Sequence, residues 1–204
     1  MQNGPAGKIA LKPMNTSERE ELLAMLARHS YFERGTVTLA SGRSSNYYID
    51  CKRTLYIPRG AYLAGELMLE LVQAARVGQI GGMAAGAIPV TDAIIAAAHR
   101  HCALELRGFF VRKEMKAHGL QQQIEGAFSK DLRAGVIDDT ITTGGSSLSA
   151  VAAMREAGAT VTTAFAMVER GEGAAAAFAN AGLDYRWLFT AEEIRAARKG
   201  TGGG

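Results

Sequence analysis

The sequence predicts an α/β protein in which helices flank a central, mostly parallel sheet. Two patterns carry the prediction. Apolar runs of strand length, at 78–83, 109–111, 136–137, 160–169 and 185–189, alternate with segments of helical spacing at 58–74, 90–101, 173–181 and 191–199. Such alternation builds parallel sheets from βαβ units. In addition, the strand-to-helix junctions at 84–89 and 140–147 consist mainly of glycine and small or hydroxyl-bearing residues, so that backbone amides there can meet an anion. A length of 204 residues suits one domain with a sizeable core and a small subdomain.

Composition narrows the class. Hydrophobic residues make up 48% and charged residues 21%, the balance of a globular protein. A formal net charge of +3 is too slight to imply a nucleic-acid partner. Cys51 and Cys102 give neither a disulfide framework nor zinc-ligand spacing, which points to a reducing compartment. The longest apolar runs, such as 93–98, fall far short of a membrane span. The first residues lack the apolar centre of a secretion signal. The expectation is a cytoplasmic protein with no membrane or nucleic-acid partner.

Taken in order, residues 1–15 are polar, contain Gly and Pro, and form a predicted flexible tail. Thr16 or Ser17 caps a helix that carries Glu18, Glu20 and Glu21 near its N-terminus, where acids oppose the helix dipole. Leu22, Leu23, Met25 and Leu26 supply its apolar stripe. Residues 36–39 and 47–51 read as short strands joined by the turn Ser41-Gly42-Arg43-Ser44-Ser45. Tyr47 and Tyr48, beside small hydroxyls, suit the covering of a flat heterocycle; a plain surface hairpin is an equal alternative. A helix over 58–74 presents Leu63, Leu67 and Leu71 on one face. The strand 78–83 enters the loop Ala84-Ala85-Gly86-Ala87-Ile88-Pro89, and the apolar helix after it ends at His99 and His101, which receive no role.

At Phe109-Phe110-Val111 an apolar strand breaks into Arg112-Lys113-Glu114-Met115-Lys116-Ala117-His118-Gly119. Three lysine or arginine side chains and a histidine converge there, followed by a glycine. A mobile lid that brings positive charge to a polyphosphate has this composition; a solvated surface loop is the ordinary alternative.

The most informative stretch is Val136-Ile137-Asp138-Asp139-Thr140-Ile141-Thr142-Thr143-Gly144-Gly145-Ser146-Ser147. Leu148, Val151 and Ala152 then recur at helical spacing, and Gly158 stands where a helix would stop. Strand, tight loop and helix N-terminus in that order make a phosphate site. The lysine of the nucleotide-binding loop is missing. Two adjacent carboxylates about 4 Å apart repel by roughly 4 kcal/mol at an effective dielectric near about 20, so they imply something to hold. Sugar hydroxyls or a magnesium ion would serve, and beside an anion site the combination reads as a sugar phosphate. The strand before Asp138 reads as cramped, with only Val136 and Ile137 clearly apolar after Gly135; the sequence predicts either a tight entry or missing residues, and a weakened central strand. Arg170 closes the strand 160–169, near where ligands gather in a parallel sheet. On its own it reads as a surface arginine, although an arginine there could fork onto a carboxylate.

The stretch from Val136 to Ser147 closely resembles the phosphoribosyl pyrophosphate (PRPP) signature of type I phosphoribosyltransferases. The run from Arg112 to Gly119 resembles the loop RKExKxHG of the orotate phosphoribosyltransferases, and Ile124-Glu125-Gly126 also fits them. The segment 31–52 is similar to their N-terminal hood, and the likeness extends over 31–194. It implies a Rossmann-like central sheet in a single domain spanning 16–199, with the hood mainly 16–57, the core 58–199 and a second flexible tail at 200–204.

The resemblance also implies the reaction, in which orotate and PRPP give orotidine 5′-monophosphate and pyrophosphate, and the site residues. Asp138 and Asp139 would hold the ribose hydroxyls, and Thr140, Ile141, Thr142, Thr143, Gly144, Gly145 and Ser146 would cradle the 5-phosphate. Ala85 and Gly86 would meet the pyrophosphate. Thr142, Arg170, Tyr47 and Tyr48 would hold orotate. Lys113, Lys116, His118 and Arg112 would neutralise pyrophosphate, acting across a homodimer in the partner subunit. Mg2+ would arrive on PRPP, with no protein metal site. Two positions depart from part of the family. Ala40 and Gly86 stand where some members carry lysine, so at Gly86 only backbone contact remains. A phosphoribosyltransferase for another base and a PRPP-sensing nucleic-acid-binding regulator are the alternatives; the basic run and the tyrosine pair favour orotate, and the small net charge disfavours the regulator.

Overall fold

The computed structural model describes residues 16–38, 44–101, 105–113 and 123–200. The predicted tails 1–15 and 201–204, and the lid residues Lys116 and His118, lie outside them. The first helix, α1 (Thr16–Met25), continues into a π-helical turn over Leu26–Ser30. Leu22 and Leu26 of its predicted stripe are fully buried, while Leu23 and Met25 are partly so. Arg19 ties α1 to the C-terminal end of the chain: it reaches Glu193 at 2.7 Å and the Leu188 carbonyl at 3.0 Å.

An antiparallel hairpin follows, β1 (Tyr31–Thr38) and β2 (Ser44–Ile49), pairing Tyr31 with Ile49 and Phe32 with Tyr48. Its strands differ from the prediction. The first begins already at Tyr31, and Ser44 and Ser45 belong to β2 rather than to the turn; Leu39 and residues 40–43 fall outside the described residues. A short helix, α2 (Lys52–Leu55), turns the chain into α3 (Pro58–Ala75). Pro58 occupies the start of α3, where its missing N–H costs no hydrogen bond.

The main sheet contains β3 (Gln79–Met83), β4 (Arg107–Val111), β5 (Ile124–Gly126), β6 (Ala134–Ile141), β7 (Val161–Glu169) and β8 (Asp184–Thr190). Their order is β5-β4-β3-β6-β7-β8. All neighbours run parallel except the edge pair β4 and β5. The crossovers are α4 (Ala87–Arg100), α5 (Gly145–Glu156) and α6 (Ala174–Asn180), and α7 (Ala191–Gly200) closes the described chain. Thus α4 starts earlier than predicted: Ala87, Ile88 and Pro89 form its first turn rather than a loop. The last helix also takes in Gly200, assigned to a tail from the sequence. One apolar cluster joins α1, α3, α4 and α7 to one face of the sheet, and a second joins α5 and α6 to the other. This is the predicted α/β layering.

The cramped strand is a misreading corrected by the structure. β6 spans eight residues, continuing through both aspartates to Ile141. Gly135 is not a weakness in it, because the Phe165 ring of β7 fills the space a side chain would need. Chain direction then fixes the site. From β3 the chain crosses through α4 to one side, and from β6 it crosses through α5 to the other. The loops after β3 and β6 therefore diverge over one crevice, the switch point at which open parallel sheets bind ligands.

Candidate active site

The acid pair sits within the last turns of β6 rather than in a loop after it. Asp139 is 6% exposed. The Asp139 amide donates to Asp138 Oδ1 at 2.9 Å, and the Thr140 amide donates to Asp139 Oδ1 at 2.7 Å. Burial raises the pKa of Asp138 well above the ordinary carboxylate value, and the neighbouring Asp139 charge raises it further. Burial also raises Asp139, but there Lys52 opposes the rise. The two groups are thereby driven apart in proton affinity, with the proton favoured on Asp138.

Across the crevice, the loop after β3 is held by the Ala84 amide, which donates to the Val111 carbonyl at 2.9 Å. Its Ala84–Ala85 peptide bond is cis. At Gly86 a Cβ would run into the Asp138 carboxylate and lie 3.0 Å from Asp139 Oδ1. The small-residue loop and the acid pair, far apart in sequence, thus face each other directly.

The other wall is the N-terminus of α5. Gly144 precedes it with φ +83°, a left-handed conformation that glycine adopts without steric cost. No side chain caps this end, and N–H groups in a first helical turn lack partners inside the helix. Thr143, Gly145 and Ser146 are exposed and Thr142 is half-buried. Donors and hydroxyls here are reachable by solvent and suit an anion.

Arg170 lies beside this wall, its amide donating to the Ile141 carbonyl at 3.0 Å. It is not a surface arginine. Its side chain is 4% exposed, Nε stands 3.0 Å from Glu172 Oε1, and the guanidinium lies 4.7 Å from the centre of the Tyr47 ring. Tyr47 stacks in turn on Tyr31 at 5.5 Å. A cavity of about 310 Å³ opens here, lined by Tyr47, Arg170 and Thr190 among others. Strand alternation sends Tyr48 to the opposite face of β2, where it is 42% exposed and within electrostatic reach of Lys52. The tyrosine pair therefore does not form one platform.

Arg112 follows directly on β4, and Lys113 beside it is exposed. Within its own chain Arg112 pairs with Glu125 of β5 at 3.0 Å. Its amide donates to the Gln123 carbonyl at 2.8 Å, while Gln123 Nε2 donates back to the Arg112 carbonyl at 3.1 Å.

Two residues of this centre were missed in the sequence. Lys52 touches Asp139, and Glu172 engages Arg170 while its second oxygen is buried with no hydrogen-bond partner among the described residues. The run Asp50-Cys51-Lys52 after the tyrosines was a signal for the first. Nothing local distinguished Glu172. His101, given no role, forms an exposed pair with Glu66.

No family model matches the chain. It is 45% identical over 185 residues to an orotate phosphoribosyltransferase of Bradyrhizobium sp., covering 88% of this chain and 98% of that one. An orotate phosphoribosyltransferase of Rhodopseudomonas palustris is 41% identical over 187 residues, covering 89% and 98%. Among solved structures, Mycobacterium tuberculosis orotate phosphoribosyltransferase in complex with PRPP superposes with a TM-score of 0.73 at 35% identity, covering 87% of this chain and 99% of that one.

Proposed function

The chain belongs to the orotate phosphoribosyltransferases, and we propose that the crevice between β3 and β6 is its catalytic centre. The enzyme transfers the 5-phosphoribosyl group of PRPP to orotate, giving orotidine 5′-monophosphate and pyrophosphate, a step in pyrimidine nucleotide synthesis. The C1–O bond to pyrophosphate breaks as a ring nitrogen of orotate attacks C1 from the opposite face, and the proton of that nitrogen is released as the new N–C1 bond forms. No side-chain nucleophile is needed. Rate enhancement comes from holding both reactants in line and from stabilising the charge that leaves on pyrophosphate.

The observation that carries this assignment is the approach of Gly86 to the Asp138–Asp139 pair. A ribose held by the carboxylates has its pyrophosphate beside the Ala85–Gly86 backbone and its 5-phosphate at Thr140–Ser146. Orotate lies toward Arg170, Tyr47 and Thr142, its carboxylate matched to the guanidinium; Tyr48, on the other face of β2, lies toward Lys52 instead. Arg112, Lys113, Lys116 and His118 act on pyrophosphate in the neighbouring subunit of a homodimer, as an isologous interface allows. Magnesium enters as part of the substrate, on PRPP phosphate oxygens. An ammonium 3.5 Å from Asp139 makes this a poor place for a resident cation and a good one for sugar hydroxyls. The reaction requires no membrane or nucleic acid, and we assign it to the cytoplasm.

Mixing the protein with orotate, PRPP and magnesium should deplete orotate absorbance with release of pyrophosphate. Turnover of a purine or of uracil, with orotate left intact, would overturn the substrate assignment.

A further inference from the structure

Lys52 opens α2 at the corner where the hairpin meets the core. Its ammonium lies 3.0 Å from Asp50 Oδ1 and 3.5 Å from Asp139 Oδ2. The same corner makes a second contact with β6, Cys51 Sγ to Thr140 Oγ1 at 3.2 Å. Asp139 is consequently held at both oxygens, Oδ1 by the Thr140 amide and Oδ2 by Lys52. Asp138 makes no ion pair among the described residues: Lys52 acts on it only from farther off, and what it faces directly is Asp139 itself and the Gly86 backbone.

We propose that Lys52 is a positioning residue for phosphoribosyl transfer, fixing Asp139 as the ionised and correctly rotated carboxylate that accepts from a ribose hydroxyl. This rests on the ribose assignment above. An ionised carboxylate is an acceptor at both oxygens, whereas a protonated one must place a donor at one of them. Two neighbouring acids in a buried place resist ionisation, and one adjacent ammonium removes the resistance at a chosen member of the pair. Asp139 has Asp138 on β6 and the Cys51 thiol beside it, while Asp50 and Tyr48 of β2 act on Lys52. On the side of Asp138 stands Tyr185 of β8, which also feels Glu169 of β7. Lys52 is the cation of this set. Its side chain is 40% exposed, so it keeps part of its hydration while serving a buried partner.

The test compares Lys52→Met, Lys52→Gln, Lys52→Arg and Asp139→Asn by steady-state kinetics over a pH series. Lys52→Met should raise KM for PRPP about tenfold or more, the worth of a charged hydrogen bond, while kcat at saturating PRPP and KM for orotate change little. The acid limb of kcat/KM for PRPP should move to higher pH, because Asp139 loses the charge that favoured its ionised form. Lys52→Arg should restore both. If Lys52→Met fails to fold, Lys52→Gln must show the same displaced limb. An unmoved limb and unchanged PRPP affinity in Lys52→Met or Lys52→Gln, with Asp139→Asn impaired, overturns the role of Lys52 alone. Wild-type PRPP affinity in Asp139→Asn overturns the ribose assignment, and the role of Lys52 with it.

Discussion

The Arg170 guanidinium packs 4.7 Å from the centre of the Tyr47 ring, joining the end of β7 to the hairpin. With Glu172 beside Nε, the side chain has a fixed plane before any ligand arrives. An arginine so oriented presents a fork matched to a carboxylate, which a lysine cannot reproduce. Arg170→Lys should therefore raise KM for orotate at least about tenfold and leave KM for PRPP nearly unchanged. Initial rates with orotate varied at saturating PRPP will show it. An unaltered orotate KM would remove Arg170 from the base site.

Gly86 is constrained by space. A methyl group there collides with the Asp138 carboxylate, and the carboxylate, being a side-chain end, must rotate out of its present position. Gly86→Ala should weaken PRPP binding about tenfold while Tm moves by no more than about 2–4 °C, the equivalent of roughly 1 kcal/mol in a domain of this size. Calorimetric titration with PRPP and thermal scans measure the two effects. A large fall in Tm with intact affinity would mean that Gly86 serves packing.

Asp138 should cost stability in return for binding. Its folded-state pKa is raised by burial and then by Asp139, so between the unfolded and folded pKa values the folded chain binds more protons. Its contribution to stability is then fully present below the unfolded pKa and lost as pH rises through the folded one. Asn is neutral throughout. Asp138→Asn should raise Tm at about pH 8 by roughly 2–4 °C, gain less at about pH 4, and bind PRPP poorly. A Tm at the higher pH equal to or below the parent's would contradict this.

The lid assignment is separable from the fold. Lys116→Ala should lower kcat by about 10²–10³-fold, as loss of a charge-stabilising group does. If the lid serves the neighbouring subunit, inactive Lys116→Ala and inactive Asp139→Asn chains should complement when mixed. Hybrid dimers then contain one intact site, restoring about one quarter of parental activity after random exchange. No recovery on mixing would place the lid over its own site.

The alternation of strands and helices was legible because each buried run has one period, and the Asp138–Ser146 stretch was legible because its chemistry is contiguous. The length of β6 was not. Its outer half is built from Asp138, Asp139 and Thr140, whose polarity hides strand character; pairing with β7 as far as Ile141 overrides local propensity. Burial of Arg170 was also hidden, since its partners are Tyr47, far away in sequence, and Glu172, set in a glycine-rich turn. Lys52 escaped for the same reason: its partner Asp139 is remote along the chain, and only folding brings the hairpin corner onto β6. Contacts between distant segments have no local pattern to read.

The reciprocal bonds between Arg112 and Gln123 fasten together the two points from which the intervening basic segment departs. Whatever that segment contains, its anchorage is settled by β4 and β5, and the entropic cost of closing a loop between fixed points grows only slowly with length. Insertions, deletions and altered charge between those anchors can thus be explored by descent at little expense to the scaffold. The crevice between β3 and β6 does not take part in that anchorage, so the two can vary independently.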